Sequence, residues 1–440
     1  MIEHPSTFTW EMGLATMVLL LAYALIFSEK IHRTNAAIIG AVLMIGVGMA
    51  FGFYSQEAAL LAIDGNTMFL LAGMMMIVTL LRPTGGFEYV AIRIAKISHG
   101  SPRLLLIYLS LAVSVISMVL DNVTTVLIFA PITVLITRML SLNPMPYLMA
   151  EAMLSNIGGT ATLVGDPPNI MIGSAANIDF LTFLLHMGPI IAVIWLAVVL
   201  LILLMFRDML KVDLRNIAPV ALDESRAIVD PAGLKKLLFV LAVVVSLFFV
   251  HHHFHLFPSY VAFIGVAIAV ALVRPHPEPL FGKLEWSVLV FFTGLFVMVG
   301  GLEGSGLLAL IGQQLANFCQ DNDQLLIAAL LIMWGAAILS ALIDNIPFTV
   351  TMIPIVAGLE SHGVNVTPLW WALAIGVGLG GNGSPIGATA NIICITESER
   401  ARVPQARITT AIWLRKGIPT MLVSLVIASI LYAGFFSLLQ

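Results

Sequence analysis

The chain carries one arrangement of residues twice. Residues 158–169 read GGTATLVGDPPN and residues 380–391 read GGNGSPIGATAN, 222 positions later in a chain of 440. Each copy follows an Asp-Asn pair set in an apolar run: Asp121-Asn122 in LDNVTTVLIFAPI and Asp344-Asn345 in IDNIPFTVTMIPI, 223 positions apart. Upstream, FLLAGMMMIV around Gly73 aligns with VFFTGLFVMV around Gly294 at an offset of 221. A near-constant offset over three landmarks marks a duplicated unit. Glycine-broken apolar segments at matching places in two halves point to the substrate site of a secondary transporter.

Hydrophobic residues make up 60% of the chain and charged ones 10%, against roughly 25% charged in a soluble domain. Apolar runs of membrane-spanning length recur throughout, and a spanning helix needs about 20 residues. The expected fold is an all-α polytopic membrane protein, because unpaired backbone has no partners in lipid. The first residues lack the basic start and cleavage site of a signal peptide, so the first span is expected to remain. A net charge of −4 argues for no nucleic-acid or other charged partner. Cys319 and Cys394 are too few and too far apart for a disulfide framework. No Walker A pattern and no nucleophile–base set occurs, so neither nucleotide use nor enzyme chemistry is expected, and no cofactor or metal site.

Spans are predicted near 14–30, 36–54, 67–81 and 182–206, with an amphipathic stretch at 86–99. A hairpin spans 104–140, with Asp121-Asn122 between its arms, and a broken helix spans 147–177. The second half repeats this at 236–250, 259–273 and 286–301, with a hairpin at 325–358, a broken helix at 367–395 and a last span at 413–438. With re-entrant hairpins each half has five crossings, and an odd number makes the two repeats inverted. The units are then 1–206, a linker at 207–235, and 236–440.

Basic residues give an independent indication. Lys30, His32 and Arg33 follow the first span; Arg82, Arg93, Lys96 and Arg103 precede the first hairpin. Six Lys/Arg lie between Arg207 and Lys236, and Arg400, Arg402, Arg407, Arg415 and Lys416 precede the last span, whereas 139–206 and 284–399 contain none. The positive-inside rule puts the basic segments, including the 207–235 linker, in the cytoplasm and both termini outside.

GGTATLVGDPPN cannot remain helical: glycines weaken the helix and the prolines remove N–H donors. The break is expected to free N–H groups on one side, for anions or polar oxygens, and carbonyls on the other, for cations. Candidate substrate- or ion-binding residues are Asp121, Asn122, Thr124, Asn156, Gly158, Gly159, Thr160, Thr162, Asp166 and Asn169 in the first half. In the second they are Asp344, Asn345, Gly381, Asn382, Ser384, Thr389 and Asn391. A carboxylate at the bilayer centre costs at least about 2.5–3.5 kcal/mol and usually does work there. Asp121, Asp166, Asp344 and Glu151 are therefore the proton-coupling candidates, since desolvation favours the neutral acid. Asp at a hairpin tip also caps the following helix. The HHHFH run at His251–His255 is expected in a wet external loop.

DNVTTVLIFAPIT, EAMLSNIGGTATLVGDPPNI and GLGGNGSPIGATANII are similar to the signatures of the ion transporter superfamily, in its arsenite permease and pigment-cell P protein branch. The resemblance covers nearly the whole chain. It implies an inner-membrane homodimer whose protomers each pair a scaffold with a moving region, as in an elevator. It also implies efflux of arsenite or antimonite, both neutral trihydroxides at neutral pH, in exchange for protons. Dicarboxylate carriers of the superfamily have Ser-Asn-Thr at the tips, whereas these tips read Asp-Asn-Val and Asp-Asn-Ile. Three acidic groups with no Lys or Arg in the core of the site are expected to repel di- and trianions. A sodium/proton antiporter, another ion or organic anion permease, and a channel or pump subunit with an ATPase docked at 207–235 are the alternatives.

Overall fold

A computed structural model describes residues 7–27, 30–211, 227–316, 322–342, 344–401, 403 and 406–439. Among them are twenty α-helices, ten in each half. The first half contains α1 (Trp10–Phe27), α2 (Arg33–Phe51), the short α3 (Gln56–Leu61), α4 (Gly65–Leu81) and α5 (Gly86–Ile97). The hairpin α6 (Pro102–Ser117) and α7 (Asn122–Met139) follows, then the interrupted pair α8 (Met145–Thr160) and α9 (Pro167–Ala176), and α10 (Phe180–Met205). The second half runs in the same order: α11 (Pro231–Val250), α12 (Pro258–Val273), short α13 (Pro277–Gly282), α14 (Trp286–Gly304), α15 (Leu307–Ala316), hairpin α16 (Asn322–Leu342) and α17 (Asn345–Glu360), interrupted α18 (Thr367–Gly380) and α19 (Thr389–Arg400), and α20 (Thr410–Gly434).

Eight of the described helices are long and apolar enough to cross a membrane, α2, α4, α7, α10, α11, α14, α16 and α20 among them. Their outward faces are apolar. Leu196, Leu200 and Leu204, one turn apart on α10, are each at least 60% exposed, which suits a lipid neighbour and no aqueous one. Three helices escape the sequence reading. The six-residue α3 and α13 are too short to show a period, and α15 is the unread counterpart of amphipathic α5.

The packing exchanges the halves: α2 lies on α14, and α4 on α12. Small residues permit this. A Cβ at Gly294 would sit 2.9 Å from both the Ala37 side chain and its carbonyl, and one at Gly73 would meet the Ala262 Cβ at 2.9 Å. Thr34 donates to the Ser287 carbonyl at 2.9 Å, and Gly301 lies against Met44, so α2 and α14 run parallel. The start of α4, at Asp64, lines a cavity with Glu303 at the end of α14. Its far end, Arg82, lies in electrostatic reach of Glu285 at the start of α14. Counterparts α4 and α14 therefore run antiparallel.

Each hairpin clasps its broken helix in the same way. Ser117 Oγ donates to the Ser155 carbonyl and Ser340 Oγ to the Val377 carbonyl, both at 2.9 Å. Thr162, inside the first break, donates back to the Met118 carbonyl. The hairpin tips thus stop level with the breaks, midway along the interrupted helices.

Candidate functional site

The breaks are closed by their own side chains. Asn169 Nδ2 donates to the Gly159 and Thr162 carbonyls at 3.1 and 2.9 Å. Asn391 Nδ2 does the same to the Gly381 and Ser384 carbonyls at 2.7 and 2.9 Å. Thr162 Oγ1 and Ser384 Oγ each accept from the third residue on, Gly165 and Gly387, at 3.1 Å. The expectation of free carbonyls is corrected here: four break carbonyls already accept from buried amides, which satisfies groups that lipid could not. Pro167 and Pro168 open α9, where the first N–H groups have no helical acceptor to lose.

Several predicted site residues hold structure together. A Cβ on Gly158 would fall 2.6 Å from the Ser114 carbonyl, and one on Gly159 2.6 Å from that of Gly165. Gly381 lies against Gly387 and Ala388. Thr160 Oγ1 donates within its own helix to the Asn156 carbonyl at 2.8 Å.

The remaining residues converge. Asn156 is the pivot: its Nδ2 donates to Asn382 Oδ1 at 2.9 Å and Asn391 Oδ1 at 3.1 Å, and its Oδ1 accepts from Asn122 Nδ2 at 3.1 Å. Asn382 Nδ2 continues the network to the Met153 carbonyl at 3.2 Å. Asp166, only 1% exposed, sits at the start of α9. Asn345 Nδ2 from the opposite hairpin reaches both its oxygens, at 3.4 and 3.3 Å. Asn122 also approaches it, and Asp344 and Asp121 are within electrostatic range. Both tips therefore meet at one carboxyl group whose counterpart in the second half is Ala388.

The tips themselves differ. Asp121 has φ 67° and ψ 153°, a region that side chains other than glycine rarely adopt and that costs about 1–3 kcal/mol. Its Oδ1 accepts from the Thr124 backbone N–H at 2.8 Å, capping α7. Asp344 has φ −46° and ψ 139°, outside the left-handed region, and makes no side-chain cap. Instead Arg33 Nη1 donates to its Oδ2 at 3.0 Å and to Thr389 Oγ1 at 2.9 Å. The expectation of no Lys or Arg in the core of the site is thereby corrected. As the first residue of a spanning helix, Arg33 read as an ordinary cytoplasmic flank. Only the fold brings it to the second tip.

Glu151 is fully buried; Thr133 donates to its Oε1, and Oε2 has no partner. It lies one to two turns from Asn156 along α8, beside the central network. His251 is buried, its Nδ1 bonded to the Leu256 carbonyl at 2.7 Å and its Nε2 accepting from Phe180 N–H at 3.4 Å. It braces α10 against α11, which corrects the wet-loop expectation for this member of the histidine run. Cys394 is buried in α19, beyond the break. Cys319 and the centre of the linker, 212–226, lie outside the described residues.

Comparison with known proteins agrees with this architecture. A Mycobacterium bovis protein described as an uncharacterized transporter is 39% identical over 437 residues, 97% of this chain and 99% of its own. A 46 kDa membrane protein of Mycobacterium leprae is 38% identical over 95% of this chain and 97% of its own. Human P protein is 31% identical over 89% of this chain, which matches 56% of that longer protein. The crystal structure of the Alcanivorax borkumensis YdaH transporter superposes with a TM-score of 0.60 at 14% identity, over 97% of this chain and 98% of that one, so the two share a fold. The sequence model described as citrate transporter matches residues 23–376. The chain is a multi-pass membrane transporter and belongs to the citrate transporter family.

Proposed function

We propose that this chain is a proton-coupled secondary transporter that exports a small neutral solute of the arsenite and antimonite class. The observation that carries this reading is Asp166. It is buried where both hairpin tips meet, and among its described contacts it receives hydrogen bonds from neutral amides and no ion pair. A buried carboxyl group without a cation is stable when it holds a proton, and it must release that proton when its surroundings open to the other side. Asp121 and Asp344 lie beside it, and the one nearby cation among the described residues, Arg33, is engaged by Asp344. A citrate trianion would meet Asp121 and Asp166 with no nearby cation free among the described residues to offset its charge. A neutral trihydroxide can instead exchange hydrogen bonds with Asn122, Asn345, Asn382 and the carboxyl groups.

A sodium/proton antiporter is less well served, because the break carbonyls that would ligate sodium accept from Asn169 and Asn391. We further propose an inverted repeat with re-entrant hairpins, moving as an elevator in a homodimer of the inner membrane, with the 207–235 linker cytoplasmic. The antiparallel course of α4 and α14 and the mid-depth tips support it.

Proteoliposome uptake with arsenite, antimonite, sodium and citrate, each with and without a proton gradient, tests the proposal. Arsenite or antimonite accumulation that follows the gradient is expected. Gradient-driven citrate uptake without arsenite movement would overturn the cargo, and gradient-independent flux, as through a channel, would overturn the coupling.

A further inference from the structure

The second hairpin tip is tied to the rest of the protein by an ion pair, and among the described residues the first is not. Arg33 begins α2, which packs on α1 and α14 outside the hairpin and broken-helix bundle. Its guanidinium crosses to that bundle, bonding Asp344 on the tip and Thr389 at the start of α19. It is held over the Phe291 ring, 5.4 Å from the centroid, and faces Glu285 at the start of α14. The side chains of Arg33 and Asp344 are 28% and 12% exposed, so the pair is partly withdrawn from solvent and less screened than a surface pair. Close by, Tyr23 of α1 donates to the Pro347 carbonyl at 3.1 Å, a second bond from the same framework to the same tip.

Among the described residues, the twin position shows none of this. Gly294 on Ala37 and Gly73 on Ala262 place α2 and α12 in register, which sets Pro258 where α2 has Arg33. Asp121 caps its own helix through Thr124. The breaks differ accordingly. Every residue from 158 to 170 is buried around the first, whereas at the second Ser384 and Pro385 are half-buried and Ile386 is 40% exposed; the counterpart of Ile386, Val164, is 3% exposed.

We infer that Arg33 is a positioning residue of the transport cycle, a latch that holds the second tip against the framework and favours the state in which the second break is accessible and the first is sealed. This rests on the two-state transport reading above. In the alternate state the roles of the two breaks exchange, and the pair cannot persist because its carboxylate has moved with the bundle. The latch exists in one state only, and an interaction present in one of two states shifts their populations.

Single cysteines at Ile386 or Val164, placed in a Cys319→Ser/Cys394→Ser background, report the populations through maleimide labelling rates in membranes without cargo or gradient. Arg33→Gln is expected to slow labelling of the Ile386→Cys protein several-fold and to speed that of the Val164→Cys protein by a similar factor. Arg33→Lys restores part of both. Unchanged rates at both positions would overturn the latch, and so would faster labelling at both, which marks a loosened fold. The readout needs no substrate. Proton-driven arsenite export by the parent protein with rates unmoved by Arg33→Gln removes the latch alone, and reciprocal shifts without arsenite export remove only the cargo assignment.

Discussion

In the first half the hairpin tip holds its carboxylate on backbone of positive φ and spends it on capping its own helix; in the second the equivalent carboxylate sits on backbone of negative φ and reaches out to a cation. The difference extends along the bundle. Thr133, Glu151 and Cys394 have Val356, Leu373 and Ile172 as their counterparts, and all six are fully buried. The same three places are filled by a hydroxyl, a carboxyl and a thiol on one side and by hydrocarbon on the other. Hydrocarbon suffices for the packing. The polar set is therefore not a requirement of the fold, and the unpartnered Glu151 oxygen belongs with the coupling candidates.

The sharpest way to break that comparison is to interchange the two fillings. Leu373→Glu buries a carboxyl group where no hydroxyl waits for it and is expected to destabilise by about 3 kcal/mol or more. Glu151→Leu, adopting its twin's side chain, is expected to keep stability within about 1 kcal/mol. Thermal unfolding in detergent measures both. Equal losses would mean that the carboxyl group is structural.

The second test concerns Asp166 and Ala388. Asp166→Asn keeps shape and hydrogen bonding and removes the proton. It is expected to cut gradient-driven flux by about a hundredfold, equivalent to about 2.7 kcal/mol, while substrate binding persists. Adding Ala388→Asp to that variant should not restore flux, because Asn122, the tip asparagine that corresponds to Asn345, is already bonded to Asn156. Restored flux would make the halves interchangeable.

Where the halves agree, effects should agree. Asn169→Ala and Asn391→Ala each strand two buried carbonyls and are expected to cost about 1–3 kcal/mol apiece, with Asn391→Ala, which also takes an acceptor from Asn156, at the upper end, as read from unfolding midpoints. A large loss in one alone would show that the two clamps are not equivalent.

Much of this plan is legible in the sequence because duplication writes it twice. The breaks, the tips and the long spans stand within a few residues of their predicted places, since glycine, proline and apolar runs act locally. The amides are legible as important and not in what they bind. Asn169 and Asn391 are ten residues beyond Gly159 and Gly381, and only the fold shows that they turn back onto those carbonyls. Arg33 is the clearest omission, 311 positions from Asp344. A basic residue at a helix start carries the ordinary signal of a membrane flank, and no local pattern tells a flank from a partner.

The glycines between the hairpins and the interrupted helices have a mechanical consequence. A Cβ at Gly376 would lie 2.3 Å from the Met333 carbonyl and one at Gly380 2.5 Å from that of Ala337, as Gly158 lies against Ser114 on the other side. At such contacts backbone touches backbone, with no side chains to slide over one another or change rotamer. Hairpin and interrupted helix are thereby welded into a single stiff piece in each half. In the proposed cycle, displacement is taken up at their borders with the framework, where the second tip is held by the long side chains of Arg33 and Tyr23, so the boundary of the moving piece is drawn by the smallest residue in the chain.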